Sequence, residues 1–168
     1  MYQSDGRLLP LLALAIGLVI SGACVLWAHG QTSTITASEA LVAAAAGEPV
    51  VIEHFLADGG DPNITNAEGL PLLHLTVGGM QDGAVLDLLL ARGADPNLKS
   101  RGGKTALMRA AESCAIGHVV QLLEAGARVG PLDSEGRGAL DMVCRGPGRH
   151  EILGLLRRKL FQQALSEQ

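Results

Sequence analysis

Aromatic side chains are almost missing from this sequence: two Phe, one Tyr and one Trp among 168 residues. Cations are scarce too, with 13 Lys and Arg against 17 Asp and Glu, and only Arg7 precedes Arg92. A nucleic-acid reader needs a basic groove and stacking rings, so nucleic acid is not an expected partner. The three cysteines, Cys24, Cys114 and Cys144, are too few and too dispersed for a disulfide framework or a zinc site. The histidines, His29, His54, His74, His118 and His150, never stand at spacings that place two metal ligands on one helical face. No metal, cofactor or small-molecule substrate is expected.

What is abundant is aliphatic. Hydrophobic residues make up 48% of the chain, charged ones 18%, and the mean hydropathy is +0.27. Much of the excess sits at the start, where Leu8 to Ala28 runs for 21 residues without a charge. As a helix this segment measures roughly 31 Å, the thickness of a bilayer's hydrocarbon core. Arg7 before it and no cation after it until Arg92 predict a cytoplasmic N-terminus with the rest of the chain across the membrane. Trp27 stands where an interfacial aromatic belongs. A cleaved secretory signal, with Ala28-His29-Gly30 before a cut at Gln31, is the competing reading, although the apolar run is longer than such signals need. A lipidated Cys24 is disfavoured because Ser21 stands where Leu is expected. All three readings carry the remaining chain out of the cytoplasm.

The rest of the chain repeats itself. Val51-Ile-Glu-His-Phe-Leu-Ala-Asp-Gly-Gly-Asp-Pro-Asn63 recurs as Val85-Leu-Asp-Leu-Leu-Leu-Ala-Arg-Gly-Ala-Asp-Pro-Asn97, and again in shorter form from His118 to Ala127. The upstream half recurs in register as Gly69-Leu-Pro-Leu-Leu-His74, Gly103-Lys-Thr-Ala-Leu-Met108 and Gly136-Arg-Gly-Ala-Leu-Asp141. Gly59, Gly93 and Gly126 follow apolar helical stretches, where a left-handed residue ends a helix most cheaply as glycine. Asp61-Pro62-Asn63 and Asp95-Pro96-Asn97 are turn residues. A unit of this size cannot bury its own apolar face, so each needs its neighbours.

These motifs resemble the ankyrin repeat family, whose unit of about 33 residues comprises a β-turn finger, an inner helix and an outer helix. The resemblance implies an all-α repeat solenoid of about four units, over 36–65, 66–99, 100–132 and 133–165. Residues 1–30 form the N-terminal hydrophobic helix or signal, 31–35 a linker and 166–168 a polar tail. Departures from the family pattern are expected to matter. Pro71 and Leu72 replace its Thr-Pro, Met108 replaces its His, and the first unit lacks the usual start. Pro147 with Gly146 and Gly148 breaks the inner helix of the last unit. His74 is expected to link repeats by a hydrogen bond. Cys114 and Cys144, placed on neighbouring helices, are read as two buried thiols, with a bridge as the alternative.

Chemistry is hard to find. Glu112-Ser113-Cys114 has no positioned base nearby, and Gly78-Gly79 and Gly102-Gly103 read as turns, so no enzyme is expected. The resemblance instead implies a protein-binding concave face made of finger tips and inner-helix ends. It maps onto Glu68 and Leu70, flanked by Ala67 and Gly78, in the second unit. In the third unit it maps onto Arg101, Lys104, Glu112 and Ser113, preceded by Leu98 and Lys99. In the fourth it maps onto Ser134, Glu135, Arg137 and Arg145. The cations among these predict an acidic patch on the partner. The expected function is therefore a membrane-tethered, extracytoplasmic adaptor for one protein partner, such as a secreted toxin or an enzyme that it shelters. The alternative is a self-associating scaffold held by Leu70, Leu98 and Leu132.

Overall fold

Thr36 caps the first helix of the stack, and its capping box supplies the start that the first unit lacks in sequence. Its hydroxyl accepts from the Glu39 amide at 3.3 Å, and the Glu39 carboxylate accepts from the Thr36 amide at 2.8 Å. In the computed structural model, residues 34–78 and 83–166 are described. The apolar segment 8–28, with Cys24 and Trp27, lies outside them. Among the described residues no helix is long and apolar enough to cross a membrane.

Among the described residues seven helices follow in order: α1 Ala37–Ala46, α2 Pro49–Ala57, α3 Leu72–Leu75, α4 Ala84–Ala91, α5 Ala106–Glu112, α6 Ile116–Glu124 and α7 Arg149–Ser166. Helices α1, α3 and α5 stack as an inner row and α2, α4, α6 and α7 as an outer row, with α1 on α2 and α5 on α6. Between outer and inner helices the chain makes fingers closed by the isolated bridges Thr65 with Pro71, Lys99 with Thr105 and Leu132 with Gly138. This is an all-α solenoid. Gly59, Gly93 and Gly126 take φ of 87°, 87° and 90° just past their helices, as their placement predicts.

The core runs the length of the stack and is aliphatic. Ile52, Leu72, Leu86, Leu89, Leu107, Leu122, Ile152 and Leu156 are fully buried, each stabilising the fold by about 1.5–3 kcal/mol. Ala40, Ala43 and Ala44 on α1 and Ala106, Ala110 and Ala111 on α5 are also buried, and small residues there let the inner helices approach. Of the described phenylalanines, Phe55 is buried and Phe161 is exposed. The scarcity of aromatics is thus a property of thin layers filled by Leu and Ala.

A ladder of Asn side chains fixes the spacing between units. Asn63 Oδ1 accepts from the Asp95 amide and Asn97 Oδ1 from the Arg128 amide, both at 2.8 Å. At the end of the stack Gln163 on α7 takes over, accepting from the Val129 amide at 3.2 Å and donating to the Ala127 carbonyl at 3.0 Å. Asp61 and Asp95 close their own turns by accepting from the Asn63 and Asn97 amides at 2.8 Å.

The last unit departs furthest. Its inner helix is reduced to one turn at 139–142, consistent with the break expected around Pro147, and α7 is twice the length of α6. The reading of Cys114 and Cys144 as separate thiols is corrected: they form a disulfide with a Cα separation of 5.5 Å. Neither lies inside a helix. Cys114 adopts φ 59° in the turn between α5 and α6, and Cys144 follows the short turn, where its amide donates to the Ala111 carbonyl at 3.0 Å. Leaving the helices brings the two backbones within bridging distance.

Candidate protein-binding face

The fingers are built by one device used three times. A polar residue opens each turn, at Asn66, Ser100 and Asp133, and its carbonyl accepts from the amide of Gly69, Gly103 and Gly136. Asn66 Oδ1 also accepts from the Glu68 and Leu70 amides at 3.0 and 2.9 Å. Asp133 Oδ1 does the same for Glu135 and Arg137, both at 2.9 Å. Neighbouring fingers are tied by backbone bonds, Arg101 amide to Gly69 carbonyl at 3.1 Å and Ser134 amide to Gly102 carbonyl at 3.0 Å. The tips are therefore held at a fixed spacing along one edge.

On this edge Ala67 and Glu68 are exposed, whereas Leu70 and Leu98 are half-buried. Leu98 serves through its carbonyl, which faces His74 Nε2 at 3.0 Å. Lys99 is exposed and donates to the Leu132 carbonyl at 2.9 Å, and Arg101 is exposed and donates to the Ala67 carbonyl at 3.4 Å. Both cations meet backbone carbonyls across a repeat boundary, so neither charge is neutralised by these bonds. Lys104 instead pairs with Glu112 at 3.0 Å, from finger to inner helix within the third unit. Arg137 pairs with Asp133 at 3.0 Å and Glu135 at 3.1 Å. Arg145 is exposed beyond the short inner turn. Ser113 donates to the Arg109 carbonyl at 2.8 Å and lies beside Gly78 of the preceding unit.

The cationic row thus divides. Lys104 and Arg137 hold the scaffold, while Lys99, Arg101 and Arg145 remain as positive charge facing solvent. Of the leucines offered for self-association, Leu132 alone is well exposed.

Two residues escape a reading of the sequence. Asp133 is buried, and the Arg137 amide foremost, against the cost of burial and with help from the Arg137 guanidinium and the Glu135 amide, holds its carboxyl below the ordinary range. Its register match to Asn66 and Ser100 is the signal that could have found it. Arg109 is half-buried, its Nε has no hydrogen-bond partner, and its charge acts on His74. Lys104-Thr105 follows Gly102-Gly103 and so completes the end of a phosphate-loop signature, but Leu98 stands where its leading glycine belongs. Thr105 in fact caps α5 and Lys104 is paired with Glu112.

Among the described residues no group of His, Cys, Asp and Glu is gathered so as to hold a metal ion. His74 is fully buried and neutral: burial first, then the charge of Arg109, lowers its pKa to about 4 against the opposing bond to Leu98. It joins repeats and offers no proton to solvent.

Two rows of stacked helices, hairpin fingers and the Asn ladder define an ankyrin-type repeat protein. The profile of ankyrin repeats, in three copies, matches residues 40–133, more than half of the chain, and the protein belongs to the ankyrin repeat family. A search of curated proteins gave no match. The family's general role is protein interaction, and the chain is assigned that role at this level.

Proposed function

We propose that this protein is a membrane-tethered adaptor whose repeats lie outside the cytoplasm and bind an acidic patch on one protein partner. The observation that carries the binding face is the pair Lys99 and Arg101, exposed on one finger and bonded to carbonyls rather than to acids. A carboxylate-bearing surface would meet cations already positioned across the repeat boundaries, with the attraction weakened by salt. Binding without catalysis is the reading favoured by a face that consists of finger tips and ion pairs.

Two features support the compartment. The uncharged segment 8–28 follows Arg7 and precedes a long cation-free stretch. The Cys114–Cys144 disulfide is the kind of bond that persists in oxidising surroundings. Secreted toxins and exported enzymes are the partner classes found there.

Crosslinking in membranes tests the face. The native chain is expected to capture a stoichiometric partner that the Lys99→Glu, Arg101→Glu variant loses while keeping its helical spectrum. Retention by that variant would remove the proposed surface. Intact mass of the membrane-extracted protein tests the tether, since a mature chain starting at Gln31 would replace the anchor with a cleaved signal.

A further inference from the structure

The two ends of the stack carry opposite charge, and each leaves apolar side chains uncovered. Residues 34–65 hold five carboxylates and no Lys or Arg, while residues 137–166 hold six Lys and Arg against Asp141 and Glu151. On α1 the buried side is Ala40, Ala43 and Ala44, and Val42, 70% exposed, lies opposite. Val42 stands five residues before Gly47, the left-handed residue that ends α1, as Arg109 stands five before left-handed Cys114. Helix α1 packs on α2 and α3 through its buried side, so Val42 on the opposite side faces away from the units that follow. Val50, at the start of α2, is 58% exposed on the same unit.

At the other end, α7 turns Ile152, Leu156 and Gln163 to the stack. Half a turn around the helix, Arg157, Phe161 and Leu165 follow at intervals of four, with Phe161 67% and Leu165 57% exposed. Phe161 and Leu165 form an apolar stripe flanked by Arg157 and Arg158, while Lys159 lies on the side turned to α6.

We propose that α7 of one copy docks on the first unit of a second copy, so that the solenoid continues head to tail. The acidic first unit complements the basic rim of α7, and Val42 and Val50 offer the apolar counterpart to Phe161 and Leu165. Symmetric pairing would set like charges together at either end, which favours the heterologous arrangement. The contact uses end faces, leaves the fingers and concave side open, and does not depend on the partner reading.

Sedimentation velocity of the full chain in nonionic detergent tests this. Mass per particle is expected to rise with protein concentration at 50 mM salt, with association about tenfold weaker at 500 mM. Val42→Arg and Phe161→Glu change exposed positions and should keep the native helical spectrum. Each variant alone is expected to stay monomeric, and an equal mixture to form a one-to-one pair, because one contributes an intact α7 and the other an intact first unit. A wild type that is monomeric throughout would overturn the proposal. So would a Val42→Arg chain that still self-associates, which would mean pairing through α7 alone. Loss of binding to phosphatidylglycerol vesicles in Phe161→Glu, with no self-association in the native chain, would assign α7 to a lipid surface instead.

Discussion

His74 Nε2 stands 3.0 Å from the Leu98 carbonyl, joining the inner helix of the second unit to the finger of the third, while its Nδ1 has no partner. The ring must be neutral with its proton on Nε2, since Leu98 can only accept. Burial lowers its pKa from 6.5 to about 4, with Arg109 adding to the effect and the Leu98 bond opposing it.

Acid should therefore loosen the stack before the carboxylates titrate. On lowering the pH the unfolded chain takes up the proton near 6.5, and the folded one only near 4. The stability contribution is full above pH 6.5 and is lost progressively down to pH 4, amounting to about 3 kcal/mol. Urea unfolding at pH 7 and pH 5 is expected to show this slope in the native chain and a flatter one in His74→Gln. Equal slopes would mean that His74 is not buried as a neutral ring.

Reduction should release the last unit. The Cys114–Cys144 bond closes a span of 30 residues around α6 and the finger of the fourth unit. Loop-closure entropy for that length is worth about 3–4 kcal/mol. Dithiothreitol, or the double change Cys114→Ser, Cys144→Ser, is expected to lower the unfolding free energy by that order. Hydrogen exchange should show α7 losing protection ahead of α1 to α4. Uniform loss along the chain would mean that the stack unfolds as one unit whatever happens at its end.

The repeat period, the helix-ending glycines and the Asx turns were legible because each is a local rule repeated in register. The disulfide was not, because Cys114 leaves α5 through a left-handed turn for which a helical period gives no warning. The role of Gln163 was hidden for a similar reason: it replaces an Asn ladder from a helix of a different unit. At the candidate face the sequence offers candidate residues but not their partners within the fold. Lys99 and Lys104 look alike in sequence, and only the packing of the fingers shows that Glu112 lies within reach of Lys104 and a carbonyl within reach of Lys99.

Two glycines of the same backbone type should respond differently to a methyl group. Gly93 and Gly103 have φ of 87° and 75°, strained for any other residue. A Cβ at Gly93 meets nothing within 4 Å, whereas one at Gly103 meets the Ser134 amide nitrogen at 2.9 Å, beside the backbone bond that ties two fingers. Gly93→Ala is expected to cost about 1 kcal/mol. Gly103→Ala should cost about 2–3 kcal/mol because the clash adds to the strain. Equal melting shifts would mean that the fingers can separate without loss.

A polar group in the shared core should undo the stack. Leu89 and Leu122 are both fully buried, one on each of two neighbouring outer helices. Leu89→Asp or Leu122→Asp places a charge with no partner among aliphatic side chains, a cost of several kcal/mol that a short solenoid cannot absorb. Loss of the cooperative unfolding transition by circular dichroism is the expected result, and an unchanged melting curve would show the repeat register to be misplaced.

The orphaned Nδ1 of His74 has a cause that can be repaired. In the third unit the Thr105 amide points at the Met108 side chain, 3.4 Å from its sulfur, and the Thr105 hydroxyl accepts from the Met108 amide. Met108 holds the place of His74 and Thr105 that of Pro71. Proline supplies neither the amide donor nor the hydroxyl, so Nδ1 lacks a partner and α3 lacks a side-chain cap. Pro71→Thr restores both groups, each worth about 1 kcal/mol, against about 0.4–1 kcal/mol lost through a more flexible unfolded chain. A net gain of about 1 kcal/mol is expected in urea unfolding at pH 7. Because a donor to Nδ1 favours the neutral ring, the His74 resonance should titrate at still lower pH, and an upward shift would mean that the new amide points elsewhere.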